Sequence, residues 1–313
     1  LMEKKISVIV PVYNEEKNIE PFLKRTKNVL KEMDQDYEII FVLDPSSDDS
    51  ENVIAKNLKL DKKIKLIVLS RRFGQPSATM AGIHNCNGER CVVIDCDLQD
   101  PPELILEMNK KMDEGYDVVF AKRRSRKGET FIKKIITKLG YVIIKKISDI
   151  KIPRDTGDFR IFSKKIINYL KTFNEPNAFL RGLVAYIGFK QSYVEYDREE
   201  RNADKSKYNK YIGSIQIAFN GIFGFSSKPL FLMSIIGFCF ALISFLIGIY
   251  YVIMKIIDPQ ITPGLSSTVL FISFFSGLQL VGLGILGEYV GRIYDEVKNR
   301  PNFIIDKKYN FDD

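Results

Sequence analysis

The sequence predicts an α/β domain with a mostly parallel sheet covered by helices on both faces, followed by interfacial helices and two transmembrane helices. From Ile6 to about Asp197, short β-branched runs alternate with longer amphipathic stretches. This alternation is typical of parallel sheets whose strands are joined by helices. After about Lys228, two long stretches carry no charge, and each exceeds the roughly 20 residues that a helix needs to cross a bilayer.

Each predicted element of the α/β domain follows from its local pattern. The strand segments, in chain order, are ISVIVPVY, YEIIFVLD, IKLIVLS, CVVIDCD and YDVVFAK, and the helical segments are EKNIEPFLKRTKNVLKEM, SENVIAKNL and PELILEMNKKMDEG. Ligands of such sheets bind outside the carboxyl ends of the strands. Polar clusters at Asn14–Glu15, Asp44 and Asp95–Asp97 all follow predicted strands. We therefore expect a binding site where these strand ends meet.

The uncharged stretches run from Pro229 to Met254 and from Gly264 to Gly287. The loop between them holds the single cation Lys255, whereas Lys and Arg are frequent on both outer flanks. By the positive-inside rule, both termini and the α/β domain are expected in the cytoplasm. A G-x-G-x-x-G match at Gly282–Gly287 follows no strand, so it does not predict dinucleotide binding. Small residues there allow helices to approach each other closely.

These patterns divide the chain into four parts. Residues 1–204 form the cytoplasmic α/β domain, 205–228 a juxtamembrane interfacial helix, 229–290 the two-helix membrane domain, and 291–313 a cytoplasmic C-terminal tail. In residues 129–147, lysines interleave with apolar residues at helical spacing. This pattern predicts an amphipathic helix on the membrane surface. An ordinary surface helix packed on the sheet is the alternative.

Charge and cysteine content narrow the class of partner. Lys and Arg number 47 against 39 Asp and Glu, a net charge of +8, which suits nucleic acid, nucleotides or an anionic membrane surface. The cations cluster beside the apolar stretches, so we expect a membrane partner and no nucleic acid. The cysteines fit no common zinc spacing and are interpreted as reduced thiols. The only histidine, His84, lies in a predicted helix and is interpreted as structural.

The segment VVIDCDLQDPPE ends a predicted strand on crowded carboxylates. Asp95 and Asp97 are two residues apart, so on a continuing strand both side chains point to one face. With Gln99 they offer the hard oxygen ligands that Mg²⁺ or Mn²⁺ prefers. Such a cation would screen the charge of a diphosphate. Asp-x-Asp pairs are also common on solvated loops, so the pair by itself leaves both interpretations open.

Five segments together carry a family resemblance: VIVPVYNEE, FVLDPSSDDS, LSRRFGQPSATMAGI, IDCDLQDPPE and DTGDFRIFSKK, in this order. The chain resembles the family-2 glycosyltransferases, which have the Rossmann-like GT-A fold. Within them it is most similar to the polyisoprenyl-phosphate glycosyltransferases, that is, dolichyl-phosphate mannose synthase and the GtrB-type undecaprenyl-phosphate glucosyltransferases. The resemblance covers essentially the whole chain, including both apolar stretches.

By position, the resemblance implies three groups of site residues. The nucleotide pocket would be lined by Pro11, Tyr13, Glu15, Asp44 and Arg71. The metal and diphosphate site would consist of Asp95, Asp97 and Gln99, and the catalytic acids would be Asp95, Asp97 and Asp158, the last beside the sugar and acceptor. The lipid phosphate would meet Arg123, Lys133, Arg201, Ser206 and Lys207. Three departures from the family pattern, Leu43, Pro45 and Asp204, weaken the assignment of the nucleotide base and the acceptor loop.

The implied reaction is inverting transfer of a hexose from a nucleotide diphosphate sugar, with UDP-glucose as the leading expectation, to a polyprenyl phosphate such as undecaprenyl phosphate. The product would be a lipid-linked sugar donor for modification of surface glycans. The enzyme would need Mg²⁺ or Mn²⁺ and would lie in the bacterial inner membrane as a multi-pass protein, with homo-oligomers possible. The acceptor phosphate is already anionic, so no strong general base is required. Asp158 could act as a base or could only orient the substrate.

Two alternatives were weighed against this reaction. A processive polysaccharide synthase would carry a Gln-x-x-Arg-Trp element, and the sequence has no tryptophan. A catalytically inactive membrane scaffold would be expected to lose the metal-binding carboxylates, and Asp95 and Asp97 are present.

Overall fold

The computed structural model describes residues 5–124, 156–173, 175, 179–197, 223–224, 226–258 and 264–311. The basic stretch 129–147 and nearly all of the predicted interfacial helix at 205–228 lie outside these residues. The predicted lipid-phosphate residues Lys133, Arg201, Ser206 and Lys207 also lie outside them. Of that predicted group, the structure therefore describes Arg123.

The first part of the chain alternates strands and helices as predicted. Its elements are β1 (Ile6–Val12), α1 (Glu16–Glu32), β2 (Tyr37–Leu43), α2 (Ser50–Leu60), β3 (Ile64–Leu69), α3 (Gln75–Asn85), β4 (Arg90–Val93), α4 (Leu104–Asp113) and β5 (Val118–Arg123). Every residue of β1 to β4 is buried, which explains why these strands are mostly apolar instead of alternating apolar and polar residues.

The second part of the chain contains the two predicted apolar helices together with elements that the sequence patterns did not predict. These are β6 (Thr156–Ser163), α5 (Lys164–Leu170), α6 (Leu180–Ile187), β7 (Gln191–Tyr196), α7 (Lys228–Ile257), α8 (Leu265–Val297) and β8 (Ile305–Tyr309). Helices α7 and α8 contain the uncharged stretches, whereas β6, β7 and β8 were missed. Asp158 and Arg160 interrupt the apolar pattern of β6, and charged residues fill most of β8.

The described strands form one mixed sheet in the order β7-β5-β6-β4-β1-β2-β3-β8. Strands β4, β1, β2 and β3 are parallel neighbours, and β5 pairs in parallel with β7. Strand β6 runs antiparallel between β4 and β5. Because β6 runs the opposite way, its first residues lie at the edge where β4 and β5 end. This places Gly157 and Asp158 beside the predicted site.

Helices cover both faces of the sheet, as predicted, and each face has its own apolar core. One core joins α1, α2 and α4 to the sheet, with Phe22 and Phe41 packed edge to face at 6.3 Å. The other joins α3, α5 and α6. Helix α3 approaches β1 so closely that a Cβ atom at Gly82 would overlap the Ile9 side chain. This close approach fixes the start of α3, which carries Gln75, relative to the strand ends.

The C-terminal segment is part of the sheet and is not a separate tail. Strand β8 pairs antiparallel with β3, and Asn310 donates from Nδ2 to the carbonyl oxygens of Leu58 at 3.0 Å and Ile64 at 2.8 Å. His84 packs edge to face against Phe303 at 5.6 Å, which agrees with a structural histidine. The predicted boundary after residue 290 falls inside α8, because the pair Arg292–Glu288 at 2.9 Å continues the helix beyond its apolar part.

A buried ion pair joins β2 to β3. Lys65 Nζ lies 2.8 Å from Glu38 Oε2, and the side chains are 7% and 1% exposed. Glu38 also accepts hydrogen bonds from the Ser7 hydroxyl and from the Asn87 backbone N–H at 2.8 Å. These contacts tie two neighbouring strands to the loop that precedes β4.

Helices α7 and α8 are long and apolar enough to cross a membrane. Lys228–Met254 has a mean hydropathy of 2.7 and Phe274–Val297 one of 1.3. Within the described part of the chain nothing covers these spans, and Phe238 and Ile256 are 71% and 76% exposed. Exposed apolar area of this extent is typical of surfaces that contact a membrane or another protein. Gly282–Gly287 lies within α8 and does not follow a strand, as predicted.

Candidate active site

The loops after β1 and β3 bring an aromatic ring and arginines together. The Arg72 guanidinium lies over the Tyr13 ring at 4.0 Å, and its Nη1 donates to the Tyr13 hydroxyl at 3.2 Å. Arg71 lies over the Phe73 ring, also at 4.0 Å. Both arginines are exposed. Planar cations supported by rings suit an anionic ligand with a flat ring system, such as a nucleotide.

Asp44 lies at the end of β2 and holds the loop that carries these arginines. Its carboxylate oxygens accept backbone N–H groups from Phe73 at 3.1 Å and Gly74 at 2.8 Å. The residue is 2% exposed. Pro11, on the neighbouring strand β1, is buried and pairs with Val42. That Asp44 and Pro11 line a nucleotide pocket stays a prediction; the contacts of Asp44 are those of a residue that orders the loop.

The loops after β1 and β2 are joined through Asn14 and Glu15. Asn14 adopts a left-handed backbone with φ of 54°, and its Oδ1 accepts the Ser47 backbone N–H at 2.7 Å. The Glu15 backbone N–H donates to the Ser50 hydroxyl at 3.0 Å, and its carboxylate accepts from the Asn18 amide. The Glu15 side chain is therefore held at the strand edge.

The acids after β4 share one side of the chain, as their spacing predicts. Ile94, Cys96 and Leu98 are buried, whereas Asp95, Asp97 and Gln99 between them are partly exposed. Buried Leu98 has a φ of 58°, which turns the backbone so that the Gln99 N–H donates to Asp97 Oδ1 at 3.1 Å. Asp95 accepts from the Gln75 amide of α3 at 2.6 Å.

The thiol of Cys96 reports the negative charge at this point. Burial raises its pKa, and the carboxylates of Glu15, Asp97 and Asp95 raise it further. Each of these three carboxylates therefore lies near the same buried thiol. Within the described residues, no group of three or more His, Cys, Asp and Glu side chains is arranged to hold a metal alone. Two carboxylates and the Gln99 amide fit Mg²⁺ or Mn²⁺ with further oxygens supplied by a ligand.

Asp158, in β6, faces a group of arginines. Arg181 Nε, on α6, donates to Asp158 Oδ1 at 2.9 Å. Burial opposes ionisation of this carboxyl, but the charges of Arg181, Arg160 and Arg123 outweigh it and hold the pKa of Asp158 below its ordinary value. Arg160 is 3% exposed, donates to the Gly157 carbonyl at 2.7 Å, and has its pKa lowered to about 10 by burial. Asp158 is consequently an anion at neutral pH.

Arg123, at the end of β5, contacts a tyrosine and a carboxylate. Its Nε donates to the Tyr196 hydroxyl at 3.3 Å, and its Nη2 lies 3.9 Å from Asp100 Oδ1. The Tyr196 hydroxyl in turn donates to Asp100. Burial and the Asp100 carboxylate raise the pKa of Tyr196, so the hydroxyl keeps its proton. The Arg123 guanidinium keeps its charge as well.

The described members of the predicted site therefore meet at one edge of the sheet. Sequence reasoning missed further polar residues that contact them: Arg72, Gln75, Asp100, Tyr196 and Arg181. Asp100 lies in the acidic segment IDCDLQDPPE and Arg72 in the segment LSRRFGQPSATMAGI. The sequence therefore drew attention to both residues but did not show which side chains they contact. Tyr196 and Arg181 carried no local signal. Their partners lie 96 and 23 residues away in the chain.

Comparison with known proteins agrees with this geometry. Residues 7–170 match the profile of the family described as Glycosyl transferase family 2. The chain is 44% identical to a Bacillus subtilis (strain 168) protein named uncharacterized glycosyltransferase YkcC, over 98% of this chain and 94% of that one. The chain belongs to glycosyltransferase family 2.

Further relatives of this glycosyltransferase carry more specific names. It is 38% identical to the bactoprenol glucosyl transferase of Shigella phage SfII, over 97% of this chain and 98% of the phage protein. Among solved structures, glucosyl-3-phosphoglycerate synthase from Mycobacterium tuberculosis, in complex with Mn²⁺, UDP-glucose and phosphoglyceric acid, has a TM-score of 0.49 and 18% identity, covering 70% of this chain and 78% of that one. The family match and the mixed sheet confirm the GT-A fold.

Proposed function

We propose that this glycosyltransferase transfers glucose from UDP-glucose to undecaprenyl phosphate with inversion at the anomeric carbon. The observation that carries the proposal is geometric: Asp95 and Asp97, which follow β4, lie at the sheet edge where β5 ends at Arg123 and where β6 begins beside Asp158. Two apolar helices in the same chain suit a lipid acceptor. The relatives named bactoprenol glucosyl transferase support glucose and a polyprenyl carrier.

The donor occupies the loops after β1, β3 and β4. Arg71 and Arg72, backed by aromatic rings, bind the nucleotide, and Asp44 keeps their loop in place. Asp95, Asp97 and Gln99 hold Mg²⁺ or Mn²⁺. When bound, the metal supplies positive charge that screens the diphosphate and stabilises it as a leaving group.

The acceptor phosphate needs positioning more than it needs a base. Its oxygen forms a bond to the anomeric carbon while the bond from that carbon to the diphosphate oxygen breaks, and the electron pair leaves with the UDP. No proton has to be removed from an ionised phosphate. The lowered pKa of Asp158 makes it a weak proton acceptor, which supports a role in orienting sugar or acceptor hydroxyl groups. Arg123 offsets the charge of the incoming phosphate.

The protein is placed in the bacterial inner membrane with the catalytic domain and both termini in the cytoplasm. The cation distribution around the apolar stretches supports this orientation. Nucleotide sugars are cytoplasmic, so a cytoplasmic catalytic domain can reach them. Homo-oligomer formation stays a prediction from the sequence.

Transfer to lipid tests the proposal directly. The protein in detergent is incubated with undecaprenyl phosphate, Mg²⁺ and, one at a time, a panel of radiolabelled nucleotide sugars. We expect UDP-glucose to transfer its label to the organic phase, with one glucose per lipid, and EDTA to prevent the transfer until Mg²⁺ is added back. Transfer of label from a different nucleotide sugar would identify that sugar as the donor instead of UDP-glucose. Long glycan products support a processive synthase, and no transfer from any donor supports an inactive scaffold.

A further inference from the structure

Arg123 is mostly buried although it carries a charge. Its side chain is 23% exposed, and Asp100, the carboxylate beside it, is 3% exposed. A buried guanidinium is unfavourable unless hydrogen bonds and opposite charge compensate it. The Tyr196 hydroxyl at 3.3 Å and the Asp100 carboxylate at 3.9 Å supply this compensation. The pair also restricts the directions in which the guanidinium can point.

Tyr196 joins the arginine to the carboxylate. Arg123 and Tyr196 are register partners on the parallel strands β5 and β7. The tyrosine is 4% exposed and packs in the apolar core. Its hydroxyl accepts a hydrogen bond from Arg123 Nε and donates one to Asp100 Oδ1. One hydroxyl group thus fixes the relative positions of the two charged side chains.

Arg123 lies between the acidic loop after β4 and the start of β6, which carries Asp158. Asp100 directly follows Gln99 on the loop of metal-binding acids. On the other side, a Cβ atom at Gly157 would lie 3.2 Å from Arg123 Nη2, which is too close for an unchanged guanidinium position. Gly157 directly precedes Asp158. The orientation of Arg123 is therefore set by the acidic loop, by β7 and by β6 together.

We infer that Tyr196 and Asp100 are positioning residues that orient Arg123 to bind the phosphate of the lipid acceptor. The inference rests on the proposed function, from which it takes the acceptor. Among the described residues, none accepts a hydrogen bond from Nη1 of Arg123. We assign that edge of the guanidinium to an oxygen of the acceptor phosphate. A phosphate bound there lies between the acidic loop, which holds the leaving group, and Asp158.

Direct binding of farnesyl phosphate tests the inference without requiring transfer. The full chain in detergent is titrated with this short prenyl phosphate by calorimetry, as wild type, Tyr196→Phe and Tyr193→Phe. We expect Tyr196→Phe to weaken binding about tenfold, the effect of losing a hydrogen bond to a charged group. Tyr193→Phe makes the same change on β7 at a side chain that is 44% exposed, and it keeps wild-type affinity. Tyr193→Phe also keeps wild-type binding of UDP-glucose with Mg²⁺, and the same titration of Tyr196→Phe measures donor binding separately from acceptor binding.

A second variant guards against a folding defect in Tyr196→Phe. Gly157→Ala removes no donor or acceptor but shifts the Arg123 guanidinium by a few tenths of an ångström, and we expect it to weaken farnesyl phosphate binding as well. In an Arg123→Ala background, Tyr196→Phe should cause no further loss. Wild-type affinity in both Tyr196→Phe and Gly157→Ala overturns the inference, as does a wild-type protein that does not bind farnesyl phosphate. A wild type that binds it but transfers no sugar contradicts only the proposed function.

Discussion

Asp97 illustrates how a single backbone turn positions a proposed metal ligand. Its carboxylate accepts the Gln99 N–H because Leu98 adopts a left-handed conformation and is buried. We predict that Asp97→Asn lowers kcat for sugar transfer by about 100-fold or more, because a neutral amide holds a divalent cation weakly. The thermal midpoint should stay within about 2 °C of wild type, since the change is nearly isosteric. Radiolabel transfer and thermal unfolding measure the two effects.

Asp34→Asn is the matched control for that substitution. Asp34 is exposed in the turn between α1 and β2, at the opposite end of the sheet, and its φ of 49° suits asparagine. It should keep wild-type transfer. Full activity of Asp97→Asn with Mg²⁺ supplied would remove Asp97 from the metal site.

Asp158 and Arg181 give a pH-dependent prediction. The arginines hold the pKa of Asp158 below its ordinary value, so in the wild type the carboxylate stays charged throughout pH 5.5–8. Arg181→Gln removes the nearest of these charges and leaves burial to raise the pKa. We expect the acid limb of the kcat/KM profile to move upward by about one pH unit. The profile is measured for both proteins with donor and Mg²⁺ saturating; coincident acid limbs would contradict a role for Arg181 in keeping Asp158 ionised.

At the residue scale, sequence reasoning found groups that belong to short motifs. Asp95, Asp97 and Gln99 were predictable as a group because the alternation of buried and partly exposed residues continues past the end of β4. Tyr196 was not predictable, because its role arises from a register between β5 and β7 that no local pattern specifies. Arg181 meets Asp158 only through the packing of α6 on the sheet.

At the scale of elements, the Lys65–Glu38 ion pair links the neighbouring strands β2 and β3, and substitution of Lys65 measures how much this link stabilises the fold. Lys65→Met leaves the buried Glu38 carboxylate with the partly exposed Lys5, at 3.5 Å, as its cationic partner among the described residues. We predict a loss of about 3 kcal/mol in the free energy of unfolding at pH 7. Burial opposes ionisation of Glu38, but Lys65 and Ser7 lower its pKa below the ordinary value. In the wild type the ion pair therefore contributes its full stabilisation at pH values above the ordinary pKa of a glutamate. This contribution is lost as the pH falls through the lower pKa that Glu38 has in the folded protein.

The pH dependence separates the charge effect from a packing effect. In Lys65→Met, protonation of Glu38 relieves the unpaired charge, so the difference in thermal midpoint from wild type should shrink between pH 7 and pH 4.5. The double variant Glu38→Gln with Lys65→Met should recover part of the stability at pH 7. Thermal unfolding at several pH values checks both outcomes, and a constant difference across pH would assign the loss to packing.

Elements were predictable where one face or both faces of the chain are apolar. Strands β1 to β5 and helices α1, α2 and α4 follow directly from such patterns. Strand β8 was missed because IDKKY is charged and mostly exposed, as befits the outermost strand of a sheet. Its pairing with β3 is specified from outside the strand, by Asn310 and by the packing of Phe303 and Phe311.

At the scale of the whole molecule, the proposed orientation predicts which residues face the cell exterior. In a Cys239→Ala background the described remaining thiols are buried. Asp258→Cys, at the end of α7, should react with a membrane-impermeant maleimide in intact bacterial spheroplasts, because the loop between the spans lies outside. Asp34→Cys should react only after permeabilisation. Labelling of Asp34→Cys in intact spheroplasts would reverse the orientation.

The two long apolar helices α7 and α8 were visible in the sequence, since uncharged stretches of this length are typical of membrane spans. The sequence did not show that the chain returns to the sheet after α8. Beyond α8 the residues are polar and resemble a solvated tail, and only the free edge of β3, a feature of the folded sheet, makes them a strand.

The position of β8 has a practical consequence for anyone shortening this protein. The membrane helices lie in the chain between β7 and β8, which occupy opposite margins of the sheet. Truncation before Lys228 therefore discards β8 together with the anchor and leaves the backbone groups of β3 open to a neighbouring molecule. A water-soluble version should instead excise the anchor and graft Asn302–Phe311 behind the catalytic domain through a flexible linker, so that the sheet margin stays capped.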